Sequence, residues 1–492
     1  MNRPIVRVYA FLLLLLALVV WRTSQWSVFD AQALKDNPLN RRPLIEAQTI
    51  HRGTIKTDDG VTVAYSSPAG GGKHPVYERH YPQRSLFGNP VGYSFIQVGQ
   101  AGIERSENGV LTGQKNEFSS ILDQLQGTTA AGDNVTLTID ASAQRVATDA
   151  LNSAIASTPG ASGYGGAVVA MDPSTGAIKA MVSAPQYDPN AVKNTSTFRR
   201  LSHEQPGPIF NRATQSGYPP GSTMKVVTAT AALDSGRFTP ASVLSGRSPQ
   251  IIGGAPLSNA GGEQFGNIDM TTALTNSVNT YFAQVGEQLG TGPLVTYMKR
   301  FGFYSDPELG LPSGEMNASG PYNTSGNLVT GGFDAARVAI GQGGATGTDE
   351  VTPLQMAEVA ATVANHGMLM KPTLVQQVTD PDGRVASSLH PTVQSTVMST
   401  KTAAELADMM THVTQEGTAA GLTVDGVTFA GKTGTAEIGN PADGINQPWF
   451  IAFAPADHPQ IAVAATIERC QGCFGADVAG PVATRVMEAL LH

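Results

Sequence analysis

The chain has 492 residues, long enough for two or three domains, and its 41% apolar content can fill their cores, which excludes wholesale disorder. Charged residues make up only 14% and the net charge is −8. No Lys/Arg cluster could neutralise a row of phosphates, so nucleic acid is excluded as a partner.

Arg3 and Arg7 precede a wholly apolar, leucine-rich run at residues 8–21. With Ile5 and Val6 the run approaches the roughly 20 residues that a bilayer span needs. A small-x-small site, Ala31-Gln32-Ala33, lies well beyond it, with Arg22, Trp26 and Asp30 between. Cleavage sites normally follow the apolar core closely. Residues 1–22 are therefore expected to be a cytoplasmic tip and an uncleaved signal-anchor helix. That places the protein in the cell membrane as a single-pass chain, with its N-terminus in the cytoplasm and its body outside.

Residues 23–133 show no long helical period, only short extended runs such as 61–65 broken by Gly and Asn turns, and read as a β-rich N-module. A second body, 134–492, opens with an alternating strand at 134–139. Asp140 follows as the N-cap of a helix reaching about Ala156. A Pro/Gly/Ser stretch at 157–165 precedes a hairpin of 166–171 and 177–182 around the turn 172–176. Residues 190–420 read as helical and irregular. Strands return at 427–437, 449–454 and 461–467, and a helix from about Gly480 to Leu491 closes the chain. Strands at both ends of a helical middle predict one antiparallel sheet. Cys470 and Cys473 form a C-x-x-C; two thiols cannot build a four-ligand zinc site, and a redox C-x-x-C is expected near a βαβ pattern that the sequence does not show, leaving a local disulfide or two idle thiols.

Three short motifs carry chemistry. In Tyr218-Pro-Pro-Gly-Ser-Thr-Met-Lys225 the Pro-Pro-Gly cannot continue a helix, whereas the Ala/Val run beyond can form one. Ser222 is thus predicted at a helix start, where free N–H groups favour developing negative charge. Lys225 falls one turn along on the same face. A serine hydroxyl needs a neighbouring base, and a lysine serves if burial or a second cation depresses its pKa. Ser277-Val278-Asn279 sits between two helical runs, where hydroxyl and amide can reach one cleft. Lys432-Thr433-Gly434-Thr435 lies in a strand whose bare glycine lets a peptide lie alongside. Its lysine adds a second positive charge. Alone, each motif has a bland reading: an N-cap with a surface lysine, a turn, a strand end.

Together, in this order and these contexts, the motifs are those of the penicillin-recognising serine enzymes. The chain resembles the class B penicillin-binding proteins beyond the triplet. Arg52-Gly-Thr-Ile55 with Gly60 looks like their opening motif, and 99–104 like a second signature of the N-module. Residues 166–190, 211–214, Gly341-Gln-Gly343, 352–356 and 449–455 look like transpeptidase landmarks. The resemblance implies an α+β chain: a transmembrane helix, a small β-rich N-module, then a transpeptidase domain with a helix-flanked antiparallel sheet and an all-helical subdomain.

It also implies a peptidoglycan D,D-transpeptidase that cross-links stem peptides ending in D-Ala-D-Ala and is acylated by β-lactams. Ser222 would be the nucleophile, Lys225 its base, Ser277 a proton relay and Asn279 a holder of the substrate amide. Lys432 and Thr433 would engage the carboxylate, with Gly434 and Thr435 completing the substrate strand. Backbone N–H groups of Ser222 and Thr435 would form the oxyanion hole. No cofactor or metal is implied. A separate glycosyltransferase and other cell-wall or division proteins are expected as partners. A D,D-carboxypeptidase or β-lactamase shares the triplet, but the anchor, the N-module and the lack of an acidic residue in Ser277-Val278-Asn279 stand against the lactamase. A non-catalytic scaffold or β-lactam sensor fits less well, because every catalytic position is filled and no cytoplasmic output domain is read before Arg7.

Overall fold

The computed structural model describes residues 3–30, 44–45, 48–69, 76–113, 131–205, 207–440 and 443–492. The small-x-small site at 31–33 lies outside them. Helix α1 (Arg3–Ser24) buries none of its residues. At about 1.5 Å per residue its 22 residues reach about 33 Å, enough for the hydrocarbon core of a bilayer. Among the described residues it is the one helix long and apolar enough to cross a membrane, and it makes the protein membrane-anchored. Near its end the Arg22 guanidinium lies 4.9 Å from the Trp26 ring centroid, an arrangement suited to the headgroup level.

The N-module is built on β1 (Ile55–Lys56), β2 (Thr62–Pro68) and β3 (Tyr77–His80), followed by the short helix α2 (Gly102–Ser106) and β4 (Asn134–Leu137). β1 pairs antiparallel with β2 and parallel with β4. The two N-module signatures meet in one buried ion cluster. Glu104 takes Arg52 Nε at 2.7 Å on one oxygen and Arg79 Nε at 2.6 Å on the other, and Tyr81 OH donates to it at 3.1 Å. Burial pushes the Glu104 carboxyl up, but Arg79 and Arg52 outweigh it and hold it below the usual range. Arg79 Nη1 also donates to Gly53 O at 2.7 Å, so the cluster fastens the chain that enters β1.

The second body continues with α3 (Ala141–Ser157), capped by Asp140, whose carboxylate accepts from Ala143 N at 2.7 Å. The hairpin β5 (Gly166–Met171) and β6 (Ile178–Ala184) follows. The middle region holds α4 (Lys225–Asp234), α5 (Met270–Thr275), α6 (Asn279–Leu289), α7 (Thr291–Arg300) and α8 (Pro353–Ala364). Next come β7 (Val375–Thr379), β8 (Val385–Ser388), α9 (Thr400–Gln415), β9 (Ala430–Glu437), β10 (Ile445–Ala454), β11 (Ile461–Ile467) and α10 (Gly475–Leu491).

The main sheet runs β9-β10-β11-β5-β6, antiparallel throughout, joining the two ends of the region as expected. α3 and α10 pack on it together, and α8 lies against β11, β5 and β10. With both faces covered, β5 and β11 are buried at every residue, which is why they read as apolar runs rather than alternating strands.

Four features differ from the sequence expectation. The helical subdomain also carries two-stranded ribbons, such as Gly320–Asn323 with Gly347–Glu350. The β7–β8 hairpin leaves that region and joins the N-module sheet, whose order is β8-β7-β4-β1-β2-β3. Helix α10 begins at Gly475, not Gly480, because Pro481 is tolerated inside it. The stretch at 157–165 also packs within the body: Gly165 N donates to Glu468 Oε2 at 2.6 Å, and a Cβ there would meet Arg212 Nε at 2.2 Å.

Glu104→Ala should leave two buried guanidiniums without their counter-charge and cost about 3–5 kcal/mol. Denaturant unfolding of the detergent-solubilised chain measures this, and an unchanged midpoint would show that the cluster is not structural.

Candidate active site

Ser222 lies in a single 3-10 turn (Gly221–Met224) that runs directly into α4. Before that turn closes, its N–H has no intrahelical acceptor. Gly221 has φ +53°, and a Cβ on it would lie 2.9 Å from Thr435 C, so the nucleophile turn is pressed against β9. Gly341 backs the same turn: it accepts from Gly221 N at 2.9 Å, and a Cβ on it would strike Gly221 O at 2.0 Å. The preceding prolines are anchored from behind. Trp449 Nε1 donates to Pro219 O at 2.9 Å, and Tyr218 OH donates to Glu468 Oε1 at 2.8 Å, an oxygen that also takes Arg212 Nε at 2.7 Å.

Lys225 is wholly buried. Its Nζ donates to Ser277 O at 2.6 Å, Asn279 Oδ1 at 2.7 Å and Ser277 Oγ at 3.2 Å. Ser277, in the turn between α5 and α6, has φ +56°, a conformation L-residues rarely adopt. Such strain clusters at functional sites, and here it turns hydroxyl and carbonyl toward one cation. Lys432, also wholly buried, donates from the other side to the same Ser277 Oγ at 2.9 Å and to Thr433 O at 3.1 Å.

Burial, and after it the charge of Lys432, holds the Lys225 ammonium well below the usual lysine range. Burial pushes Lys432 down to about 7. Every acceptor around Lys225 is a neutral oxygen, and no carboxylate bonds to either lysine among the described residues.

β9 is an edge strand. Thr435 stands opposite Pro448, which has no N–H to give, and Pro448 O accepts from Thr466 Oγ1 on β11 at 3.0 Å. The Thr435–Pro448 pair is therefore of the non-hydrogen-bonded kind, so Thr435 and Thr433 direct their N–H and C=O groups to the open edge. Gly434 has a different reason from the one its sequence suggested. A Cβ there would lie 2.9 Å from both Pro220 O and Thr223 Cγ2, so the glycine admits the nucleophile turn rather than the substrate.

The structure thus gathers Lys225, Ser277, Asn279 and Lys432 into one hydrogen-bonded group and sets Ser222's turn beside Thr435. It draws no hydrogen bond from Ser222 Oγ to Lys225 among the described residues. Sequence reasoning missed Thr418, whose hydroxyl meets that of Thr433 at 2.7 Å and whose N–H donates to Thr275 O at 3.1 Å, linking the two motifs. The available signal was Gly417-Thr418 just past the end of α9, where a Cβ on Gly417 would strike Thr275 O at 2.3 Å. Ser258, whose carbonyl accepts from Asn279 Nδ2 at 3.2 Å, carried no signal.

The chain is similar to known proteins over nearly its whole length. Residues 166–488 match the penicillin binding protein transpeptidase domain and residues 52–135 the penicillin binding protein A dimerisation domain. The chain is 34% identical to the peptidoglycan D,D-transpeptidase PbpA of Mycolicibacterium smegmatis, over all of this chain and 99% of that one. It is 32% identical to PbpA of Mycobacterium tuberculosis H37Rv, again over all of this chain and 99% of the relative. The penicillin G acyl-enzyme complex of penicillin-binding protein A from M. tuberculosis superposes with a TM-score of 0.78 at 32% identity, covering 90% of this chain and 100% of that one.

Lys432→Met should raise the pKa of Lys225, because it removes the second of the two causes that depress it while burial persists. NMR titration of the Lys225 side chain should show its midpoint moving to higher pH. An unmoved midpoint would mean that the two cations do not sense each other.

Proposed function

Because the chain belongs to the penicillin-binding protein transpeptidase family, we propose that its cleft cross-links peptidoglycan stem peptides through a Ser222 acyl-enzyme. The observation that carries this reading is the convergence of two buried lysines on Ser277 beside the nucleophile's turn.

Ser222 Oγ attacks the penultimate D-alanine carbonyl. As an ammonium, Lys225 has three protons for its three acceptors; as the neutral amine favoured by burial, it has a lone pair for the Ser222 proton. Ser277 Oγ accepts from both lysines, which leaves its own proton free for the departing amine. The C–N bond breaks, terminal D-alanine leaves, and an amine from a neighbouring peptide takes the acyl group from Ser222. Lys432 and the Thr433 hydroxyl suit the substrate carboxylate, and Asn279 its amide. The N–H groups of Ser222 and Thr435 suit the oxyanion, a contribution worth about 3–4 kcal/mol per donor. The donor peptide would pair with the open edge of β9 as an added strand. A β-lactam would acylate the same oxygen.

The reading includes an anchor (1–22), an N-module (23–133) and a catalytic body (134–492), with β4, β7 and β8 as the strands through which module and body share a sheet. It places the body outside the cytoplasm. Arg3 and Arg7 lie in the first two turns of α1, ahead of its apolar run, and the Cys470–Cys473 disulfide suits an oxidising compartment. A separate glycosyltransferase and other cell-wall proteins would act beside it.

Ser222→Ala should abolish covalent labelling by a fluorescent penicillin in a folded protein; undiminished labelling defeats the nucleophile assignment. Lys225→Ala should slow acylation by about a thousandfold or more, since nucleophile and base act as a unit. A loss under about tenfold would move the base elsewhere, with Lys432 the first candidate.

The penicilloyl adduct should persist for many minutes. Its hydrolysis needs a base to position water, a glutamate in the class A lactamases. Glu437, nearest in sequence to the lysine motif, is exposed at the end of β9. Mass spectrometry of the Ser222 peptide after a penicillin pulse follows the adduct, and clearance within seconds would make this a lactamase.

A further inference from the structure

The one sequence feature that the acylation chemistry does not use is the C-x-x-C. Cys470 and Cys473 are joined by a disulfide. Around it three segments meet. Cys470 and Gln471 pair with Asn446 and Ile445 at the start of β10. Asn446 Nδ2 donates to Cys473 O at 2.9 Å, Gly472 N to Gly444 O at 2.8 Å and Gln471 Nε2 to Asp443 O at 2.6 Å. Residues 443 and 444 belong to the connection between β9 and β10, and across it Ile438 N donates to Ile445 O at 2.9 Å.

Immediately beyond Cys473, Gly475 N donates to Thr435 Oγ1 at 3.2 Å. A Cβ on Gly475 would lie 2.4 Å from Gly434 O and 2.2 Å from Trp449 O, so this backbone sits directly on the strand behind Thr435. The four-residue loop therefore holds residues 443–446 directly, and it is tied to Thr435 through Gly475, two residues past Cys473.

We propose that the Cys470–Cys473 disulfide is a redox-sensitive clamp that positions Thr435 and the outer end of β9 for acylation. The proposal rests on the transpeptidase reading of the cleft. Cys470 is buried and Cys473 partly exposed, so a thiolate of a dithiol reductant attacks Cys473 Sγ. The S–S bond breaks and a mixed disulfide forms, which the reductant's second thiol resolves. Two electrons and two protons pass to the pair, and the reductant leaves as its own disulfide. A disulfide oxidant of the thiol–disulfide oxidoreductase class reverses the step. Freed, the loop no longer fixes Gly475 against Thr435. Four residues also constrain the unfolded chain less than a long loop does, so the effect falls on the cleft more than on global stability.

The test uses the full chain in detergent, compared oxidised, reduced with the reductant then removed, and reoxidised. Thiol state is verified by alkylation and mass spectrometry. The second-order rate of acylation by a fluorescent penicillin should fall about tenfold on reduction, the scale expected for a slightly misplaced group. It should recover on reoxidation while the thermal midpoint moves little. The Cys470→Ser/Cys473→Ser double variant should be slow and indifferent to reductant. If that variant misfolds, the reversible cycle on the native chain decides alone. A rate indifferent to redox state in a protein that labels at Ser222 overturns the clamp and leaves the transpeptidase reading standing, as does a melting shift with no change in rate. Failure to label in every state overturns both.

Discussion

Two lysine side chains withdrawn from water and aimed at one serine hydroxyl are the constraint around which this cleft is organised. Among the described residues neither Lys225 nor Lys432 has a carboxylate partner; their acceptors are carbonyl, amide and hydroxyl oxygens. A buried cation without a counter-charge is costly, and the group relieves that cost by giving up its proton. The same arrangement that would destabilise an ordinary core therefore produces an amine able to accept a proton. A carboxylate placed beside either lysine would stabilise the ammonium and remove the base. The N-module shows the contrast: there Glu104 stands between Arg52 and Arg79, so the buried cations have a carboxylate beside them.

Holding two such cations together requires walls that cannot relax. α4 brings Lys225, the α5–α6 turn brings Ser277 and Asn279, and β9 brings Lys432, so the site is spread over elements far apart in sequence. Glycines let these elements approach within backbone contact. Gly221 and Gly434 close the nucleophile turn onto β9, and Gly341 supports that turn from behind. A Cβ at any of them would lie within 2.9 Å of a main-chain atom of the facing element.

The chemistry was legible in the sequence because its residues come as short local patterns whose surroundings imply a helix start, a turn and a strand. The sheet was legible for a related reason. Strands buried on both faces read as unbroken apolar runs, as at residues 461–467. Contacts between distant segments were not legible. Thr418 joins Thr275 to Thr433 through a turn that resembles any other Gly-Thr, and Gly434 reads as open strand until the nucleophile turn is seen filling the space above it. The β7–β8 hairpin carried a fair local signal in Asp380-Pro-Asp-Gly383, but nothing local says that its strand pairs with β4 of the N-terminal sheet. Periodicity reports which face of an element is buried, not which partner buries it.

That distinction bears on how the two parts of the chain communicate. β4 lies between β1 of the N-module and β7 of the catalytic body, and it leads through Asp140 directly into α3. α3 packs on the main sheet beside α10, and α10 begins at Gly475, against Gly434 and Thr435. α10 packs on β10 and β11 as well as on β9, so the two parts of the chain are joined to the strand of Lys432 by two packed helices. β9 has the least support from its own sheet, since one side of it has no strand partner among the described residues. Its support must come from behind and from its ends, which is where Gly475 and the turn of Ser222 press.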